Sequence, residues 1–218
     1  MAGAVEGDAV AAYEADEYLQ WHRSPVPEED RLQWDAAPME RVGPLRFGAD
    51  RAAAVAAMAE QGYEARDGGA RYAEPVETRV DFRRPGVRPA SLTGAAADVP
   101  VDVPVEVTAW FVEGLGLTCV AVDALAGPQV TLEGIRLIGR PPSELALETA
   151  AHLLARDGLV QYTPEGEVSD RDWGMLPHPQ RAGDRLLTGA VFGRPHARAG
   201  TMYDCVPFHA LRRGFGFW

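Results

Sequence analysis

The sequence predicts an α+β fold, in which a mainly antiparallel sheet forms a meander and a few helices pack on one of its faces. Two observations lead to this prediction. Apolar and polar residues alternate from Thr78 to Arg83 and from Val105 to Val112, as they do in strands with one solvated face. Alanine-rich stretches follow Asp50 and Ser143, and each ends at a glycine, which is typical of helices.

Residues 1–40 are predicted to form an acidic, helical N-terminal segment. They contain ten acidic residues and two arginines, and the alanines and charges from Ala4 to Gln20 favour a helix. Ser24-Pro25-Val26-Pro27 interrupts this helix, and Glu28 to Met39 continues the segment. Residues 41–218 are then predicted to form a single α+β domain.

The domain begins with a short extended piece from Val42 to Gly48. Asp50 predicts the start of a helix that Gly62 ends, because a carboxylate accepts hydrogen bonds from free backbone N–H groups and glycine suits the position after a helix. The two alternating strands follow. A proline-rich and alanine-rich loop from Arg84 to Pro104 separates them.

Residues 105–138 are predicted to form the antiparallel meander. Gly114-Leu115-Gly116 is a tight turn after the first strand, and Leu117 to Val122 is the return strand. Gln129 to Leu132 and Ile135 to Ile138 follow as two more strands. Because strands joined by short turns usually pair with each other, we expect all of them to be neighbours in one sheet.

A second helix is predicted between Ser143, as its N-cap, and Gly158. Three residues share an apolar face of this helix: Leu147, Ala151 and Leu154. Residues 159–163 and 185–192 are predicted strands, and the polar, turn-rich residues 164–184 between them are a predicted loop.

One pattern occurs twice along the chain. Gly43 to Gly48 and Gly134 to Gly139 are glycine-bounded pieces that contain leucine and arginine, and each precedes an alanine-rich helix ending in glycine. The pattern predicts two similar helix-plus-sheet units, with residues 41–139 and 140–218 as the sub-units. Chance similarity in a chain rich in glycine and alanine is the alternative.

Composition excludes several classes of protein. The net charge is -11, and all 21 basic residues are arginine, so the lysine of a phosphate-binding loop is absent and nucleic acid is a poor partner. No apolar run approaches the ~20 residues that span a bilayer, and the N-terminus is acidic, so we expect a cytoplasmic protein without membrane contact. Cys119 and Cys205 lack metal-binding spacing, and we expect no metal and no cofactor.

The charge is distributed unevenly. Residues 1–40 carry a net charge of -8, whereas residues 175–218 contain six arginines and two acidic residues, a net charge of +4. The two ends either pair with each other or each face a partner of opposite charge. In the second case the candidate partner-binding residues are Glu14, Asp16, Glu17 and Trp21.

The last fifth of the chain holds three of the five histidines together with acidic residues. Imidazole beside carboxylate is a general base near neutral pH, so these residues are the candidate catalytic set. Their spacing matches no metal-binding signature, and histidines in loops or on the surface are the alternative interpretation. The candidate set is His178, Asp184, His196, Asp204 and His209.

Two motifs carry a resemblance to other proteins. Val42-Gly43-Pro44-Leu45-Arg46-Phe47-Gly48 precedes one predicted helix, and Gly127-Pro128-Gln129-Val130-Thr131-Leu132-Glu133-Gly134, followed by Ile138-Gly139-Arg140-Pro141-Pro142-Ser143-Glu144, precedes the other. Here the chain resembles small, mostly uncharacterised actinobacterial cytoplasmic proteins, some of which are similar to immunity proteins of toxin systems. Ala49 stands where that pattern usually has methionine. The resemblance implies the fold and brings no catalytic residues.

The sequence therefore predicts a non-enzymatic protein-binding module of immunity type, whose acidic face meets a partner with a basic surface. One alternative is a small enzyme that uses the C-terminal histidine and aspartate cluster. A further alternative is self-association into a homo-oligomeric scaffold.

Overall fold

A computed structural model describes residues 25–71, 77–85, 104–162 and 167–195. Within these ranges the chain forms a six-stranded sheet, a five-stranded sheet, a two-stranded ribbon and two α-helices. The predicted α+β class with mainly antiparallel strands is confirmed.

In chain order the described strands are β1 (Gln33–Ala37), β2 (Arg41–Val42), β3 (Leu45–Arg46), β4 (Glu64–Arg71), β5 (Glu77–Arg83), β6 (Val107–Val112), β7 (Gly116–Val122), β8 (Gln129–Leu132), β9 (Ile135–Arg136), β10 (Gln161–Tyr162), β11 (Val168–Ser169), β12 (Met175–Ala182) and β13 (Arg185–Gly193). The α-helices are α1 (Arg51–Glu60) and α2 (Pro142–Ala155). Short 3-10 turns cover Glu28–Asp30 and Arg171–Trp173.

Six strands pair in the order β12-β13-β7-β6-β5-β4, and every pairing is antiparallel. Five short strands pair in the order β3-β2-β1-β8-β9, where β1 is antiparallel to β2 and parallel to β8. One hydrophobic core joins both sheets and both α-helices. Its members include Leu45, Met58, Phe82, Leu132, Leu145 and Phe192.

The predicted meander is wrong beyond β7. Strands β6 and β7 pair as expected, but β8 and β9 belong to the other sheet, where β8 lies beside β1. The Asp123 carboxylate forms a tight turn after β7, since its Oδ1 atom accepts hydrogen bonds from the N–H groups of Leu125 at 2.9 Å and Ala126 at 2.8 Å. This turn directs the chain away from β7 and into the second sheet.

The prediction of a helical segment over residues 1–40 is wrong for its last part, and residues 1–24 lie outside the described residues. After one 3-10 turn the chain forms strand β1, and Trp34 within it is buried. The Trp34 ring packs against Tyr63 with 5.9 Å between ring centroids. The domain therefore includes β1 and begins before residue 41.

Among the strands that the sequence pattern misses are β4 and β12, which have eight residues each. Strand β12 contains Pro177 and Pro179, but it lies at the edge of its sheet, where a missing N–H group costs no ladder hydrogen bond. Strand β4 contains Gly68 and Gly69, and the register of its pairing with β5 shifts at these residues. Such a bulge hides the strand alternation from the sequence.

The two helices begin differently. Asp50 caps α1 as predicted, because its Oδ1 atom accepts a hydrogen bond from the Ala53 N–H group at 2.8 Å. Ser143 is not the N-cap of α2, so that prediction is wrong. Pro141 holds the cap position and Pro142 the first helical position, where the missing N–H group would have had no partner within the helix.

The two glycine-bounded pieces occupy equivalent places. Each lies beside a hairpin, β2–β3 or β8–β9, that leads into an α-helix, and the same pair of backbone hydrogen bonds follows each. In the first unit, Gly48 N–H donates to Leu117 C=O and Leu117 N–H donates to Ala49 C=O. In the second, Gly139 N–H donates to Thr188 C=O and Thr188 N–H donates to Arg140 C=O. All four distances are 2.8 Å. Two similar units would show this agreement, with the second unit starting at β8, and the division into units stays a prediction.

A buried guanidinium group lies where these two units join. Arg31 is 5% exposed and donates hydrogen bonds to the backbone carbonyl groups of Val26 (3.2 Å), Ala124 (2.9 Å), Leu125 (2.8 Å) and Gly127 (2.6 Å). Burial lowers the pKa of Arg31, while the nearby charges of Glu28 and Asp123 act to raise it. Because an unpaired charge is costly inside a protein, the guanidinium and the turn after β7 depend on each other.

Replacing Arg31 tests this dependence. Arg31→Ala is expected to lower the unfolding free energy by about 3 kcal/mol, because buried carbonyl oxygens lose their donor. Arg41→Ala is the matched control, since the Arg41 guanidinium donates to the carbonyls of Asp35 and Gly43 nearer the surface, and about 0.5 kcal/mol is expected there. Urea unfolding followed by tryptophan fluorescence measures both, and equal losses would contradict the role of Arg31.

Candidate interaction surface

The structure does not bring together the two described members of the predicted catalytic set. His178 is buried in the middle of β12, whereas Asp184 is exposed in the turn between β12 and β13. Each residue of a strand adds about 3.3 Å to its length. The four steps from His178 to Ala182 therefore span about 13 Å, and Asp184 lies beyond that point. The remaining members, His196, Asp204 and His209, lie outside the described residues.

A small cavity lies beside His178. Its volume is about 20 Å³, which is room for one water molecule and too small for an organic substrate. Its polar lining consists of Glu106, Thr108, Asp123, His178 and Gln180. Gln180 holds the turn after β7, because its Oε1 atom accepts a hydrogen bond from the Ala124 N–H group at 2.6 Å. In the part of the chain that the structure describes, no three His, Cys, Asp or Glu side chains are grouped to hold a metal ion.

A second polar cluster is centred on Glu106, whose side chain is completely buried. Its carboxylate accepts hydrogen bonds from the Arg84 backbone N–H group at 2.9 Å, the Arg84 Nε atom at 2.8 Å and the Tyr63 hydroxyl at 3.3 Å. Burial raises the pKa of Glu106, although Arg84 acts to lower it. Burial, followed by the Glu106 charge, also raises the pKa of Tyr63. The cluster fastens the end of β5 to the start of β6, which is a structural role.

Glu106→Gln tests the charge state of this cluster. Because burial holds the folded-state pKa above the ordinary value of 4.5, the contribution of this carboxyl to stability is complete below the ordinary pKa and is lost as the pH rises through the raised one. The unfolding free energy of the native protein minus that of Glu106→Gln should therefore fall as the pH rises from below 4.5 through the raised pKa of Glu106. Urea unfolding at each pH measures this difference. A difference that grows with pH would show a lowered pKa instead.

Helix α2 has two apolar stripes, and the one that the sequence pattern indicated is not the one that packs on the core. The residues that α2 buries are Leu145, Thr149 and Leu153. The predicted apolar face points to solvent: Leu147 is 74% exposed, Leu154 is 66% exposed, and Ala151 between them is exposed. Leucines clustered on a surface mark a site of interaction more often than single exposed ones do.

Helix α1 shows that the fold does not require a leucine at the position of Leu147. When Gly48 is matched with Gly139, the buried Ala54 and Met58 of α1 match the buried Leu145 and Thr149 of α2. The same alignment places the exposed Ala56 of α1 opposite Leu147 of α2, and Glu60 opposite Ala151. One unit thus folds with alanine and glutamate at positions where the other exposes apolar side chains.

Charged residues surround the exposed stripe, which we define as Leu147, Ala151 and Leu154. Glu144 lies in the first turn of α2 and Glu148 in the second, where Glu148 pairs with Arg140. Near the end of the helix, Arg156 pairs with Glu133, and His152 Nε2 lies 3.0 Å from Glu133 Oε2. These ion pairs are partly exposed to solvent, and pairs of this kind contribute little to stability.

The sequence did not identify this surface as a binding site. Its candidate partner-binding residues, Glu14, Asp16, Glu17 and Trp21, lie outside the described residues. The spacing of Leu147 and Leu154 was visible, but periodicity alone cannot show which of two apolar stripes faces the core. The exposed Leu159 and Tyr162 just after the helix extend the apolar character, at 69% and 67% exposure.

Comparisons with protein-family models, with curated proteins and with solved structures found no match. Neither α1 nor α2, nor any other helix in the described ranges, is long and apolar enough to cross a membrane.

Exposure of the stripe predicts a contrast between neighbouring leucines. Leu147→Ala should change the unfolding free energy by less than about 0.5 kcal/mol, as surface substitutions usually do. Leu145→Ala, one position of the buried face, should lower it by about 3 kcal/mol because it leaves a cavity in the core. Thermal and urea unfolding of both variants provide the measurement. A large loss for Leu147→Ala would mean that this side chain is packed within the fold.

Proposed function

We propose that this protein is a non-enzymatic, cytoplasmic protein-binding module and that the exposed stripe of α2 is its contact surface. The single observation that carries the proposal is the exposure of Leu147 and Leu154 on one face of α2. Complete burial of a leucine side chain contributes about 1.5–3 kcal/mol, so two leucines at the centre of an interface supply a substantial part of a binding energy.

The described polar groups support binding rather than catalysis. The Glu106 carboxylate accepts hydrogen bonds from Arg84 and Tyr63, and Gln180 accepts a hydrogen bond from the turn after β7. His178 and Asp184 are far apart on their hairpin. An enzyme that used the predicted histidine and aspartate set would need those groups to converge on a substrate-sized cavity.

The sequence leaves two kinds of partner open. A partner with a basic surface, as expected for a module of immunity type, is favoured by the acidic first forty residues and by the resemblance to proteins similar to immunity proteins. Self-association through the exposed stripe is the alternative. Both partners would use the exposed leucines, so one set of variants tests the proposed function for either.

The test is a binding measurement with matched variants. Tagged native protein, the double variant Leu147→Glu with Leu154→Glu, and the control Ala56→Glu are used to capture partners from cells that produce the protein. A captured protein is then purified and titrated against each variant. We expect the double variant to bind at least about 10-fold more weakly, because a carboxylate replaces an apolar contact at the interface, and the control to bind as the native protein does.

Ala56→Glu is the informative control because it places the same new charge at the equivalent exposed position of α1. A partner that binds the double variant as tightly as the native protein would overturn the proposed function. So would a histidine-dependent reaction of the purified chain that is lost in the variants His178→Ala and His209→Ala while binding is absent.

A further inference from the structure

We infer that the outer face of the six-stranded sheet, opposite the core that joins the two sheets, is a docking surface for residues 196–218 of the same chain. These residues lie outside the described ranges. The inference concerns a different part of the molecule from the exposed stripe of α2, so it goes beyond the proposed function and does not depend on it. The outer face carries an apolar patch, which we define as Trp110, Cys119, Ala121, Leu176 and Val191.

The alternation of side chains along the strands separates the two faces of this sheet. In β6, Ala109 and Phe111 belong to the core, and Trp110 between them belongs to the patch. Across the sheet, Trp110 pairs with Cys119 of β7. The other patch residues continue this face over β7, β13 and β12, where Val191 pairs with both Ala121 and Leu176. The patch therefore crosses four adjacent strands.

The patch is buried, although the described helices and the five-stranded sheet pack elsewhere. Trp110, Cys119, Leu176 and Val191 are at most 3% exposed. Within the described ranges, neither α-helix and no strand of the five-stranded sheet contributes a side chain to the patch. Neighbouring side chains on one sheet face shelter each other from the side, but their outer ends stay exposed until another layer packs on them. Burial of the patch thus points to a layer formed by chain outside the described ranges.

Polar side chains beside the patch are buried as well. Asp81 of β5, Thr108 of β6 and His178 of β12 lie on this face of the sheet and are all buried. Thr108 Oγ1 donates a hydrogen bond to Asp81 Oδ1 at 2.9 Å, and Arg79 Nη2 donates to Asp81 Oδ2 at 3.1 Å. A solvated sheet face would leave groups of this kind open to water. The covering layer therefore extends past the patch on both sides, over β5 and β12.

The chain leaves the described fold beside this patch. Gly193, the last residue of β13, pairs with Cys119, and Arg194 N–H donates to Thr118 C=O at 3.0 Å. Residue 196 therefore starts close to the edge of the patch. The patch spans three strand spacings, about 14 Å, which four or five extended residues can cross. The 23 residues from 196 to 218 are more than enough for this distance.

The composition of residues 196–218 suits a layer over an apolar patch. Aromatic side chains bury the largest areas, and they pack well on a sheet face. Five of these 23 residues are aromatic, namely Tyr203, Phe208, Phe215, Phe217 and Trp218.

Two other long segments outside the described ranges fit the patch less well. Residues 86–103 contain no aromatic residue, and they connect β5 to β6 at one end of the sheet. Residues 1–24 contain three aromatic and five acidic residues, and carboxylates are costly to bury on an apolar surface. They join the described chain near the far end of β7, where Val26 N–H donates to Leu125 C=O at 2.7 Å. Position and composition thus both favour residues 196–218.

Photochemical cross-linking of the full chain tests which segment covers the patch. In a Cys205→Ser background, a benzophenone maleimide is attached at Thr201→Cys or at Ala210→Cys, while the completely buried Cys119 stays unlabelled. After irradiation, mass spectrometry should find links within one chain to β6, β7, β12 or β13. Glu17→Cys with the same label is the matched control in residues 1–24, and it should give at least about 10-fold fewer links to these strands.

Two results of this experiment would overturn the inference. Links to these strands from Glu17→Cys, and not from the two C-terminal positions, would assign the layer to residues 1–24. Links that join two chains would show that a second copy covers the patch.

The thiol of Cys119 gives a second test, because it lies within the patch. In the Cys205→Ser chain it is the one remaining thiol, and its reaction with Ellman's reagent should be slow. Phe208→Asp with Leu211→Asp should raise the rate at least about 10-fold, because carboxylates oppose docking and the patch then opens. Val10→Asp with Tyr13→Asp is the matched control in residues 1–24, and it should react as slowly as the parent chain.

Equal rates in the two double variants, or a faster reaction in the control alone, would contradict docking of residues 196–218. Urea unfolding followed by circular dichroism shows whether each variant keeps a cooperative transition. If Phe208→Asp with Leu211→Asp does not fold, the cross-links decide the inference. Neither experiment alters Leu147 or Leu154, so a negative result here leaves the proposed function standing.

Discussion

The junction of the two halves of this fold depends on the buried guanidinium group of Arg31. It donates to the backbone carbonyls of Ala124, Leu125 and Gly127, in the turn that connects β7 to β8, and also to that of Val26. A Cβ atom at Gly139 would lie 3.2 Å from its Nη2 atom, so the second unit closes tightly over it. Arginine suits this position because it carries five N–H donors in one plane and no acceptor, and its charge is tolerated where carbonyl groups face it.

This junction explains the topology around it. The segment before β1 is held against the turn after β7, so β1 enters the five-stranded sheet between the hairpins β2–β3 and β8–β9. The two hairpins run in opposite directions, and for that reason β1 is antiparallel to one and parallel to the other. In the six-stranded sheet β7 and β13 lie side by side, each bonded in the same way to the loop before an α-helix. A shared core then forms between the units.

The comparison of α1 with α2 separates what the fold requires from what the surface adds. Two equivalent positions are buried in both helices. They hold Ala54 and Met58 in α1, and Leu145 and Thr149 in α2. Burial at these positions is common to the units, although the side chains differ in size and polarity. The exposed Leu147 of α2 matches the exposed Ala56 of α1, so this leucine belongs to the second helix alone. Packing thus accounts for the shared face, and the face that differs is the one that we propose as the contact surface.

By itself the sequence determined those features whose causes lie close together in the chain. Asp50 and Gly62 marked the ends of α1, and alternation or short apolar runs marked β5, β6, β7 and β13. Only the tertiary structure decided that β8 pairs with β1, that proline-containing β12 is an edge strand, and that Leu147 and Leu154 face solvent. The local pattern showed that those leucines share a face of a helix. Exposure depends on side chains distant in the sequence, and the contacts of Leu145 and Leu153 with the core left the leucine stripe outside.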